Sequence, residues 1–181
     1  MVQQQILPGT WQIDAAHSEV GFSVRHMMVS RVRGRFEKFD ATLTVPEDPA
    51  QSSVRATIDA SSINTNQEQR DEHVRSADFF DAADHPEFTF VSTGIRQDGE
   101  DLVVTGDLTI KGNTRPVELA MEFNGATVDP YGMQRAGFHA ETEISRKAFG
   151  VDIETPMESG GVVVGDKIKI EIDAEFTRQD G

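Results

Sequence analysis

Apolar and polar residues alternate along most of this chain, and the C-terminal segment shows the pattern most clearly. Ile168, Ile170, Ile172, Ala174 and Phe176 are interleaved there with Lys169, Glu171, Asp173 and Glu175. This spacing predicts a β-strand with one buried and one wetted face. The same period of two puts Val20, Phe22 and Val24 on one face of an earlier segment. Val54, Ala56 and Ile58, and then Val117, Leu119, Met121 and Phe123, form single apolar faces on two more. About eight or nine strands are expected, over residues 9–13, 19–26, 32–45, 54–59, 87–95, 101–111, 115–123, 135–144 and 167–177. Asp98-Gly99, Gly112-Asn113, Asn124-Gly125 and Pro130-Tyr131-Gly132 offer hairpin turns between runs, so neighbouring strands are expected to be antiparallel.

One segment departs from this pattern. Thr65 followed by Glu68 reads as a capping box, and residues 67–77 contain no Gly or Pro, which predicts one short helix near a barrel or sandwich end. Asp71 and Arg75 are spaced to pair on its exposed side. Residues 46–49 and 159–165 read as loops, the second rich in glycine.

Alternating strands with a single helix fit either a flattened sandwich or a closed barrel, and an eight-stranded barrel is either filled by side chains or left with room for one small ligand. The inward faces combine Phe22, Phe36, Phe88, Phe90, Phe123, Phe138 and Phe176 with Gly34, Ala41, Ala56, Gly106, Ala140 and Ala174. Small residues leave space, but large and small ones also interdigitate in a solid core, so both interiors stay open on pattern alone. His26 continues the inward register of Val20, Phe22 and Val24, beside Met27 and Met28. This position suits either a cavity mouth or a plain loop hydrogen bond.

Composition narrows the chemistry. The 181 residues are expected to form one domain, 1–181, and the formal net charge of -14 argues against nucleic acid or bare anionic membrane as partner. The absence of cysteine excludes disulfides, thiol nucleophiles and zinc-thiolate sites. The first residues lack a basic and then apolar leader pattern, and no run suits a helical membrane span, which predicts a cytoplasmic protein. His17, His26, His73 and His85, with Asp14, Asp71 and Asp84 as partners, allow a small enzyme acting on a lipid-like substrate. No His-Glu-x-x-His, Gly-x-Ser-x-Gly or P-loop pattern supports that reading, so no catalytic residue, metal or cofactor is assigned. Arg70, Arg75 and Arg146 suit either a phosphate-bearing head group or structural ion pairs with neighbours such as Asp71, Asp78 and Asp152.

Trp11-Gln12-Ile13-Asp14 with His17-Ser18, Val20 to Met27, Gly34-Arg35-Phe36, Arg70-Asp71 with His73, and Arg75 to Phe80 follow one another along the chain. His85 to Phe90, Gly106 to Gly112, Gly137-Phe138, Ser145 to Gly150 and Val164-Gly165-Asp166 complete the series. Taken in this order, the segments resemble the YceI-like family of polyisoprenoid-binding proteins. The likeness covers about residues 9–177. It implies an all-β, lipocalin-like antiparallel barrel whose interior takes an isoprenoid or quinone-like lipid for storage, protection or transfer, and it admits a homodimer. On that reading the ligand meets Phe22, Val24, Phe36, Phe88, Phe90, Leu108, Ile110, Phe138, Phe149 and Ile170. Met27 adds apolar lining at the mouth, and His26 and Arg146 are then the candidates for its polar end.

Overall fold

The computed structural model describes residues 6–27, 29–77, 79–151 and 164–179. Eleven strands are present among them: β1 Gly9–Ile13, β2 Glu19–His26, β3 Ser30–Phe36, β4 Phe39–Val45, β5 Ser53–Asp59, β6 Ile63–Asn64, β7 Glu87–Asp98, β8 Asp101–Ile110, β9 Asn113–Val128, β10 Gln134–Ser145 and β11 Val164–Gln179. The helix, α1, spans Glu68–Arg75.

Eight strands in the order β1-β4-β5-β7-β8-β9-β10-β11 form a ring, closed because β11 also pairs with β1. Closure decides between barrel and sandwich, and it satisfies the backbone groups that an open sheet would leave along its edges. Every pairing is antiparallel. The ring is extended beside β11 by β2, β3 and the short β6.

Long β11 organises this extension. Its C-terminal half pairs with β1, Phe176 opposite Ile13, and its middle pairs with β2, Asp173 opposite Glu19. Between them residues 14–18 loop out. The Asp14 carboxylate accepts from the Ala16 N–H, and Ser18 exchanges hydrogen bonds with the Glu175 backbone. A matching break at Glu37 and Lys38 splits the run expected as one strand over 32–45, because β3 follows β2 whereas β4 follows β1.

Two other expectations change for local reasons. Asn124-Gly125 does not end a strand: Phe138 pairs with Phe123 while Gly137 pairs with Gly125, so Asn124 is the extra residue of a bulge and Gly125 supplies its positive φ of 111°. Thr65 does not cap the helix through a box with Glu68. It is buried, and its hydroxyl and N–H donate to the carboxylate of Asp71, itself only 3% exposed. Asp71 is therefore not an exposed partner of Arg75, which instead donates to the Ser61 and Ile63 carbonyls and to Glu68. A buried carboxylate is kept satisfied by a threonine six residues away, where sequence spacing suggested a surface pair.

Candidate ligand-binding cavity

Alternation within each strand sends one set of side chains into the barrel. On β11 these are Ile168, Ile170 and Ile172, which cross-pair with Val24, Phe22 and Val20 of β2 and with Ile144, Thr142 and Ala140 of β10. Ile168, Ile170, Ile172, Phe22, Val117, Leu119 and Met121 all point inward yet remain only partly buried. An inward-facing residue keeps accessible surface only if the centre is hollow.

The hollow is a cavity of about 500 Å³. It borders two packed clusters. One joins Phe36, Phe88, Val104, Leu108 and Phe149. The other surrounds the fully buried Trp11 with Leu43, Val45 and Phe176. Aromatic contacts stiffen both: Phe36 and Phe80 meet Phe88 in edge-to-face pairs at 5.5 and 4.9 Å, and Phe138 meets Phe176 likewise at 5.8 Å.

Glycines shape this lining in an unexpected way. A Cβ on Gly34 would lie 2.5 Å from Cζ of Phe22, and one on Gly106 would lie 2.4 Å from Cζ of Phe90. Each glycine lets a phenylalanine ring lie over the neighbouring strand, so of the two readings left open by the pattern, at these two positions large and small residues interdigitate.

Of the residues singled out from sequence, Phe22, Val24, Phe36, Phe88, Phe90, Leu108, Ile110, Phe138, Arg146, Phe149 and Ile170 all line the cavity. Met27 does not. It sits at the turn after β2 with φ of 53° and is 45% exposed, so the turn carries its side chain out of the inward register. His26 ends β2 opposite Ser30, and its side chain lies outside the described residues, as do Met28, Asp78, Asp152 and most of the 159–165 loop. Phe123 packs on Phe138 at 5.2 Å behind the lining.

Few polar groups reach the lumen. Arg146 is 5% exposed; its Nε donates to the Gly165 carbonyl and its Nη1 to the Val151 carbonyl, clasping the β10–β11 connection. Arg70 donates to the Thr65 hydroxyl and carbonyl, both at 2.8 Å. Thr65, Arg70, His73 and Thr142 also belong to the wall. Sequence reasoning missed Phe79, Phe80 and Val74, which complete the wall where α1 and its following turn cross it. The only sequence signal was the Phe79-Phe80 pair directly after a helix of little apolar character.

The described histidines are dispersed. His73 stacks edge-on against Phe79, His85 lies under Gly112 of the β8–β9 turn, and His17 is exposed beside Asp14 and Glu175. Asp14, His17 and Glu175 approach one another closely, but Arg135 Nη1 donates to both carboxylates at 2.9 and 3.0 Å. Hydrogen bonding from Arg135 and then His17 holds the Asp14 carboxyl below its ordinary range. The trio is charge-balanced by a side chain and lies outside the lumen wall.

A closed antiparallel barrel around a deep hydrocarbon-lined cavity, with one helix at its edge, is the architecture of lipocalin-like proteins. The YceI-like domain family matches residues 11–176, and the chain belongs to that family. It is 44% identical to Protein YceI of Escherichia coli O17:K52:H18 over 139 residues, covering 76% of this chain and 73% of that protein. The crystal structure of Burkholderia cenocepacia BcnA superposes with a TM-score of 0.78 at 30% identity, over 90% of this chain and 98% of that one. A polyisoprenoid binding domain from Saccharophagus degradans, implicated in plant cell wall breakdown, superposes at 0.71 with 15% identity, over 93% and 98%. This last likeness bears on the fold alone.

Proposed function

We propose that the protein binds an elongated isoprenoid lipid, polyprenyl or quinone-like, in the barrel interior and stores, protects or transfers it. The observation that carries this reading is the cavity of about 500 Å³ walled almost wholly by hydrocarbon. That volume falls within the roughly 300–1,000 Å³ of small-ligand sites. Burying a chain there gains about 0.8 kcal/mol per methylene-sized group, enough to offset the cost of ordering it without many polar contacts.

In this reading Phe22, Val24, Phe36, Phe88, Phe90, Leu108, Ile110, Phe138, Phe149 and Ile170 contact the chain. Arg146 and Thr142 stand where a polar head meets the wall. The family membership and the name of the Saccharophagus degradans domain support the choice of an isoprenoid over other lipids. Native mass spectrometry with organic extraction of the purified protein tests it. One prenyl lipid per chain is expected. A chain that carries no lipid and takes up none from added polyprenol contradicts the proposal.

A further inference from the structure

The β2–β3 hairpin, Glu19–Phe36, contains four arginines and a single carboxylate, Glu19, at the end away from its tip, in a chain with 31 Asp and Glu. Arg31, Arg33 and Arg35 alternate with the inward-facing Val32, Gly34 and Phe36, so they share the outer face of β3. All three are exposed, as are Arg25 of β2 and Lys167 of β11. Arg25 sits directly opposite Arg31 in the antiparallel register. Like charges facing one another across a strand pair destabilise a sheet. Among the described residues none of these five cations has an ion-pair partner, whereas nearby Lys169 is held by Glu171 at 3.0 Å. Two carboxylates at neighbouring strand ends are engaged elsewhere: Asp166 accepts from Ser145, and Glu37 accepts from Asn64.

The tip of the same hairpin is apolar and wet, with Met27 45% and Val29 88% exposed. Val24 and Val32, paired just below it, line the cavity, and Arg25 borders it as well. We propose that this hairpin docks the barrel onto an anionic lipid bilayer, with Met27 and Val29 entering the interface and the arginines meeting headgroup phosphates. A row of arginines flanking a solvated apolar tip is complementary to such a surface and to its acyl boundary. The net charge of -14 does not oppose this, because charges beyond about 8 Å are screened at physiological ionic strength. The opposite end exposes Val128 and Tyr131 too, but beside Asp129, whose carboxyl Arg135 holds ionised well below its ordinary range.

The inference rests on the lipid-binding reading only for what the docking serves, which is passage between bilayer and lumen. Flotation of the full-length protein with vesicles tests it without any lumen ligand. Equal parts of phosphatidylglycerol and phosphatidylcholine are compared with phosphatidylcholine alone. The protein is expected to float with the anionic vesicles, less so in high salt, and weakly or not at all with the neutral ones. Each arginine near the surface contributes about a five-fold gain in partition, so R31S/R33S is expected to lose at least about ten-fold. The charge-matched control R55S/R96S, on the opposite wall, keeps binding. Val29→Asp is expected to weaken flotation with an unchanged thermal melt. Equal partition to both vesicle types, or equal loss in the two double variants, overturns the proposal. Retention on immobilised polyglutamate without flotation assigns the patch to an acidic protein and overturns it as well. Lipid recovered from the lumen of a protein that fails to float separates this failure from failure of the lipid-binding reading.

Discussion

The ring of Phe22 reaches over Gly34 on the adjacent strand, so close that a Cβ there would stand 2.5 Å from its Cζ and 2.8 Å from Cγ2 of Thr65. Phe22 lines the lumen, so the open space beside its ring is the lumen itself. Gly34→Ala is therefore expected to push the ring into the cavity, destabilising the fold by about 1–3 kcal/mol and lowering lipid capacity. Urea unfolding and lipid extraction of the variant measure both effects. A variant as stable and as capacious as the parent would show that the ring has another place to go.

Ala140 offers the complementary change, because it lines the lumen between Met121 and Ile172 on the neighbouring strands. Ala140→Phe fills part of the cavity with protein and is expected to block uptake of long-chain polyprenol while costing about 1–3 kcal/mol. Leu108→Asp places an unpaired charge in the same wall and is expected to abolish uptake more completely, at a greater cost in stability. Comparing the two by mass spectrometry and circular dichroism separates occupied space from polarity.

Asp71 receives both the N–H and the hydroxyl of Thr65, and Thr65 in turn receives Arg70. Asp71→Ala leaves buried donors without an acceptor and is expected to cost about 2–3 kcal/mol. Since α1 carries His73 and Val74 of the wall, faster ligand release is expected too. Denaturant midpoints and the off-rate of a fluorescent polyprenol check the two outcomes.

His139 on the outer face lies between Glu141, at 3.0 Å, and Asp173, at 2.7 Å. Hydrogen bonding to Glu141 first, then Asp173, raises its pKa from 6.5 to about 9. The folded protein thus holds this proton more tightly than the unfolded chain. The resulting stabilisation is complete below about pH 6.5 and disappears as pH rises through about 9. His139→Gln is expected to flatten that part of the stability profile, measured by urea titration across the window. A parallel fall in parent and variant would assign the pH dependence to other groups.

Strand periodicity made the barrel wall legible, because burial of one face leaves its mark at every second residue, as along Ile168, Ile170, Ile172, Ala174 and Phe176. What failed was chemistry decided by distant neighbours. Gly34 and Gly106 could be either open space or partners of large side chains until the rings of Phe22 and Phe90 were placed over them. Thr65 read as a cap because its partner, Asp71, was assumed to face solvent. Gly125 offered a positive φ, but pattern alone could not tell a bulge from a turn. A net charge is a total and says nothing of where charges gather, as Arg25, Arg31, Arg33 and Arg35 do on β2 and β3. Residues 79 and 80 follow a helix with little apolar character, which hid their place in the wall.

Intermolecular NOEs between the methyl groups of an isotope-labelled polyprenol and the protein test the central claim most directly. Contacts to Leu108, Ile110 and Ile170 methyls and to the Phe22 and Phe138 rings are expected at one ligand per chain. Saturable binding with contacts only to outward-facing residues such as Val29 or Val91 would contradict a lumenal site.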